Sequence, residues 1–114
     1  MISDEAIEKR MHELRETAAK YAKAYAERQH LEDYKHSLLA ILMKRYETEG
    51  HKTAAAQERE ARADVEYRDH LFALKDANEQ AERLRWELKF AEMSIDIYRT
   101  REASKRAERK GYGA

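Results

Sequence analysis

The chain predicts an all-α fold: a long antiparallel helical hairpin, coiled-coil-like in its spacing. Three observations carry that expectation. The mix is rich in Ala, Glu, Lys, Leu and Arg and has no proline, the composition of long helices. Its three glycines, Gly50, Gly111 and Gly113, stand only at the middle and the extreme end. On both sides of Gly50, apolar residues recur at alternating spacings of three and four, the period of one helix face. Charged residues make up 40% of the chain and mean hydropathy is −1.03. Disordered polar chains share those values but lack the regular apolar spacing.

The first helix is expected over about residues 4–48. Ser3 is a natural N-cap, since its hydroxyl can accept from amides left unpaired at a helix start. Asp4 and Glu5 follow, where negative charge suits the helix dipole. Ile7, Met11, Leu14, Ala18, Tyr21 and Tyr25 then form one amphipathic face. A strict heptad from Ile7 would next place Arg28 and Lys35 at core positions. The apolar residues instead suggest a sideways shift to Leu31, Tyr34, Leu38 and Ile41. Residues 38–43 are apolar most of the way round, which implies deep packing. Gly50 supplies the left-handed residue that ends the helix.

A loop over about 49–53 leads to a second helix over about 54–108. Thr53 can cap it, and Ala54, Ala55 and Ala56 are strong helix formers. Asp64 is a further candidate cap, so a break is expected near 64; the stretch 54–63 has no large apolar residue. From Val65 the seam resumes as Tyr67, Leu71, Leu74, Ala77, Ala81, Leu84, Leu88, Ala91, Ile95 and Tyr98. Residues 99–110 read as a solvated extension fraying into a flexible basic C-terminus. Folded back at the loop, the helices would set Ile7 level with Ile95, Leu14 with Leu88, Tyr21 with Ala81 and Tyr25 with Ala77. Residues 1–114 are read as a single helical domain.

Trp86, Phe90, Met93 and Ile97 form a second line, about 160–200° around the helix from Leu84, Leu88, Ala91, Ile95 and Tyr98. A two-helix layer has nothing to cover that line, or the far side of residues 38–43. Two helices alone seldom bury enough surface to be stable. The hairpin is therefore expected to form a homodimer, a four-helix arrangement. Trp86, Phe90, Met93 and Ile97 would make that contact or meet a protein partner, with Tyr46 at the loop end.

Net charge is zero but unevenly placed, because residues 99–114 carry 6 Lys/Arg against 2 Asp/Glu. Arg99, Arg101, Lys105, Arg106, Arg109 and Lys110 could contact phosphates, which makes DNA binding the alternative function. The plainer reading is that cations at a helix C-terminus complement its dipole.

Catalytic and metal readings find little support. Asp33 with His36 and Glu66 with His70 have helical ligand spacing, yet their carboxylates lie off the buried side. Solvated helix faces account for them better. The chain has no cysteine, no glycine-rich phosphate loop and no Gly-x-Ser-x-Gly. A non-enzymatic protein without cofactor is expected. No apolar run reaches membrane-spanning length, and the opening Met-Ile-Ser-Asp-Glu is not a signal peptide, so a cytoplasmic protein is the default.

The segment His51-Lys52-Thr53-Ala54-Ala55-Ala56-Gln57-Glu58-Arg59-Glu60-Ala61, with Leu84-Arg85-Trp86-Glu87 and Ala91-Glu92-Met93-Ser94-Ile95, resembles small helical proteins of tailed bacteriophages and prophages. The likeness covers roughly residues 38–107. It implies a viral accessory protein in the host cytoplasm, acting on DNA metabolism or on a host or phage factor. In those proteins a proline tends to follow the aspartate matching Asp64; here Val65 stands in its place.

Overall fold

The computed structural model describes residues 3–112, with the backbone alone at Tyr112. Three helices follow in order: α1 (Asp4–Thr48), α2 (Ala54–Ala63) and α3 (Val65–Tyr112). The fold is an all-α hairpin in which α3 returns along α1.

Local chemistry sets each boundary. The Ala6 amide donates to Ser3 Oγ at 3.2 Å and opens α1. At the other end Gly50 adopts φ 111°. Its amide donates to the Glu47 carbonyl, and the His51 amide to the Tyr46 carbonyl, at 3.1 and 3.0 Å. That pair of bonds is a Schellman closure, which requires a residue tolerant of positive φ. Thr53 Oγ1 accepts from the Ala56 amide and starts α2. Asp64 then serves two helices. Its amide closes α2 on the Ala61 carbonyl, while its carbonyl accepts from Arg68 in the first turn of α3. Its ψ of 141° breaks the helical path, and its Oδ1 accepts from the Glu66 amide at 2.8 Å. The break foreseen near 64 is present without a proline, because the aspartate side chain replaces the backbone bonds lost there.

Contacts divide the chain into two compact units. The first joins residues 1–22 to 83–114, and the second spans residues 23–82.

In the second unit, α1 and α3 run antiparallel, and α2 covers their loop end. Leu38 and Leu42 from α1, Ala61 from α2 and Tyr67 from α3 form a buried cluster, with Leu39, Met43 and Tyr46 against it. Leu42 and Ala61 are fully buried. α2 is thus the third element that the apolar stretch 38–43 requires, and it needs only an alanine to approach closely. Ile41 nevertheless remains 50% exposed.

The seam of this unit departs from the apolar pattern. Tyr25 and Tyr34, expected near the seam, are exposed, as is Leu71. The strict heptad prevails instead. Arg28 and Lys35 hold the core-facing positions with side chains 25% exposed, Arg28 pairing with Glu82 and Lys35 with Glu32. Their methylene stems cover apolar surface while the charges reach water. His70 takes the place expected of Leu71, its Nε2 lying 2.7 Å from the Leu31 carbonyl. Leu74 and Ala81 complete the buried side of α3 here.

In the first unit, α1 and α3 are again antiparallel. Leu84 and Ile95 are buried, and Ile7, Met11, Leu14, Leu88, Ala91 and Tyr98 are half-buried around them. Arg10 Nη1 donates to Ser94 Oγ at 3.1 Å across the seam. Leu14 shares a cleft with Met11, Glu92 and Ile95. α3 also continues past the expected end near 108, with Arg109 and Lys110 stabilising its last turn. Fraying was expected over residues 111–114; Gly111 and Tyr112 instead belong to α3, while Gly113 and Ala114 lie outside the described residues.

Candidate interaction surface

α3 is long because nothing from Glu66 to Lys110 breaks it, and its sequence carries two apolar faces. The inner face, Leu84, Leu88, Ala91, Ile95 and Tyr98, is used against α1. The outer face holds Trp86, Phe90, Met93 and Ile97 at steps of four, three and four. These four are 49, 60, 55 and 51% exposed, so the described residues of the first unit leave much of this side of α3 uncovered.

The outer line is ordered at one end by contacts within the helix. The rings of Trp86 and Phe90 have centroids 6.0 Å apart and planes tilted 36°. Lys89 Nζ lies 4.7 Å from the centre of the Trp86 ring, and the Arg85 guanidinium carbon 5.6 Å from it. Each such cation contact is worth about 0.5–1 kcal/mol at an exposed site and restricts the indole. The result is a contiguous apolar ridge with cations at its edge. Side chains of this size exposed on one line form a patch that monomeric soluble proteins seldom leave uncovered.

Tyr46, grouped with this line in the sequence, belongs to the other unit. Its hydroxyl donates to Asp64 Oδ2 at 2.6 Å, and its ring meets the His51 ring edge-on at 5.6 Å. The bond to Asp64, followed by burial, pushes the Tyr46 phenol up to about 12. The same bond, with the Glu66 amide, holds the Asp64 carboxyl below the usual carboxylate range. Arg45 pairs with Glu66 at 3.0 Å alongside. Tyr46 thus fastens α1 to the α2–α3 junction.

The basic residues do not form one stripe. Arg99, Arg106 and Arg109 line a cleft with Asp4, Tyr98 and Glu102. Arg101 and Lys105 line another with Arg10, Ser94, Ile97, Tyr98 and Glu102. Lys110 lies in the final turn. Burial, then the neighbouring Glu102 charge, raises the Tyr98 phenol.

Glu66 and His70 are engaged otherwise, and Asp33 Oδ1 accepts from Gln29 Nε2. Glu66 binds Arg45, and His70 lies on the Leu31 carbonyl and the Tyr34 ring. Among the described residues, no group of three or more His, Asp or Glu is arranged to hold a metal ion. No helix of the described residues is long and apolar enough to cross a membrane.

Two exposed lines escaped the sequence reading. Val65 and Phe72 on α3 are 58 and 59% exposed and seven residues apart, hence on one side of the helix. Tyr34 and Ile41 do the same on α1. Continuing the Trp86–Met93 heptad backwards finds Val65 and Phe72, with Glu79 interrupting the line. No protein-family model, curated protein or solved structure matches this chain.

Proposed function

We propose that this chain is a non-catalytic interaction protein that works by helix-face docking in the cytoplasm. The observation that supports it best is the outer line of α3, four large apolar side chains each about half exposed or more. Helix-in-groove and helix-on-helix recognition both read anchors at this spacing. Aromatic anchors such as Trp86 and Phe90 are the type that dominates protein interfaces. The resemblance read in residues 38–107 implies a viral accessory factor, and that assignment is part of the proposal.

The test compares wild type with Phe90→Glu as bait, followed by reconstitution of any captured protein from purified components. The reading requires that the reconstituted complex form with wild type and weaken at least tenfold with Phe90→Glu. A complex indifferent to that substitution would remove the outer line from the recognition surface.

A second reading, DNA contact, is favoured by the final turns of α3, because residues 99–114 carry 6 Lys/Arg, Arg101, Arg106, Arg109 and Lys110 among them, against 2 Asp/Glu. Anisotropy with single- and double-stranded DNA across a salt series tests it, because phosphate contacts give a steep salt slope. Flat binding curves at low salt would eliminate it.

A further inference from the structure

We infer that the occupant of the outer α3 face is a second copy of this chain, laid antiparallel along α3. The inference rests on the interaction reading and names its partner.

The heptad geometry of the face decides the orientation. With Phe90 and Ile97 at one core position and Trp86 and Met93 at the other, an antiparallel pair has its two-fold axis between Phe90 and Met93. Phe90 then meets the second copy's Met93, and Trp86 meets Ile97, so each layer sets an aromatic beside a medium side chain. On one flank, Lys89 comes opposite Asp96 of the second copy. The two-fold axis repeats that contact, giving two opposite-charge pairs. On the other flank, Glu87 meets Ser94, without like-charge conflict. Lys89 already lies over the Trp86 ring, which places its ammonium at the rim of the ridge. Asp96 stands exposed on this flank, its carbonyl accepting from Thr100 Oγ1.

The parallel alternative fares worse. In register, it stacks Trp86 on Trp86 and Phe90 on Phe90, and sets Arg83 against its own copy at a core position. Antiparallel pairing sends Arg83 to Thr100 instead. Charge and size complementarity therefore both favour the antiparallel pair.

Area sets the strength. The four side chains leave on the order of 400 Å² exposed per copy, judged from the size of such residues. Pairing removes about twice that from water, before the stems of Lys89, Arg85 and Arg83 are counted, which is the low end for specific interfaces. A reversible dimer in the micromolar range is the expectation. In it, the two α3 helices lie at the centre and each α1 on the outside, because α1 occupies the opposite side of α3.

The chain has no cysteine, so single substitutions give a clean test of orientation. Trp86→Cys and Ile97→Cys proteins, mixed and oxidised, should yield mainly mixed disulfide dimers, with little self-coupling by either protein alone. Self-coupling of each, without mixed enrichment, would overturn the antiparallel arrangement. Sedimentation velocity on full-length Lys89→Glu should show dimerisation weakened about tenfold, two attractive pairs having become repulsive. Adding Asp96→Lys should restore it, and failure of the double variant to recover would overturn the pairing. A wild type that stays monomeric to millimolar concentration would overturn self-association itself. If Phe90→Glu still abolished a reconstituted complex with another protein, the interaction reading would stand without this inference.

Discussion

Replacing Leu42 by alanine tests the core that α2 completes. Leu42 is fully buried among Leu38, Ala61 and Tyr67. Removing its isobutyl group forfeits a transfer term of about 1.5–3 kcal/mol. The surrounding helices can close only part of the space, because Ala61 is held by the cap at Asp64 and the Schellman turn at Gly50. With the cavity term the loss should reach about 3–4 kcal/mol. Domains of this size have about 5–15 kcal/mol of net stability, so the change is large. Urea unfolding followed by circular dichroism reads it directly. Ile41→Ala is the control one residue away. That side chain is 50% exposed, and its truncation should cost less than about 1 kcal/mol. Equal losses at the two positions would refute the account of a tip core sealed by α2.

Gly50→Ala should cost about 1–2 kcal/mol from backbone strain alone, since φ is +111° and nothing lies within 4 Å of the added Cβ; thermal melting checks it. The Tyr46–Asp64 bond should make stability depend on pH at both extremes. The Tyr46 phenol is raised to about 12, so its contribution is complete below pH about 10 and lost as pH climbs towards 12. The Asp64 carboxyl is lowered, so its contribution is complete above pH about 4 and lost as acid protonates it. Tyr46→Phe should flatten both limbs in a pH series of melting temperatures; an unchanged profile would show that the bond does not contribute. Truncation after Tyr98 should lower helicity by the removed turns while leaving the melting temperature nearly unchanged, and should abolish any DNA binding. A truncated chain that unfolds would show the last turns of α3 to be structural.

Much of this architecture is legible in the sequence because local chemistry decides it. Ser3, Gly50, Thr53 and Asp64 each act through side-chain or backbone preferences confined to a few residues, and each marks an element boundary in the structure. The outer line of α3 is legible for a similar reason, since helical period alone sets its side. The seam of α1 beyond Tyr21 is less so. Arg28 and Lys35 occupy seam positions through their stems, and a polar residue name conceals that apolar length. Tyr34 and Ile41 look like core but face outward, because the continuing heptad, not local hydrophobicity, fixes the side that meets α3. The role of α2 was hidden for the opposite reason. Ala61 is small and unremarkable in sequence, yet its size is what lets α2 approach Leu38 and Leu42. Tyr46 reads as an exposed loop-end aromatic until its hydroxyl is placed on Asp64.

The most direct test of the central claim uses the protein's only tryptophan, which lies on the outer face of α3 and is 49% exposed. Indole emission shifts to shorter wavelength when the ring leaves water. Emission spectra of the wild type over a dilution series from the high micromolar to the nanomolar range would follow that face alone. The wild type should show a blue-shifted maximum at high concentration moving to the water-exposed value on dilution, and Phe90→Glu should show no concentration dependence. A wild-type maximum that stays at the water-exposed value throughout, or an identical shift in Phe90→Glu, would contradict it.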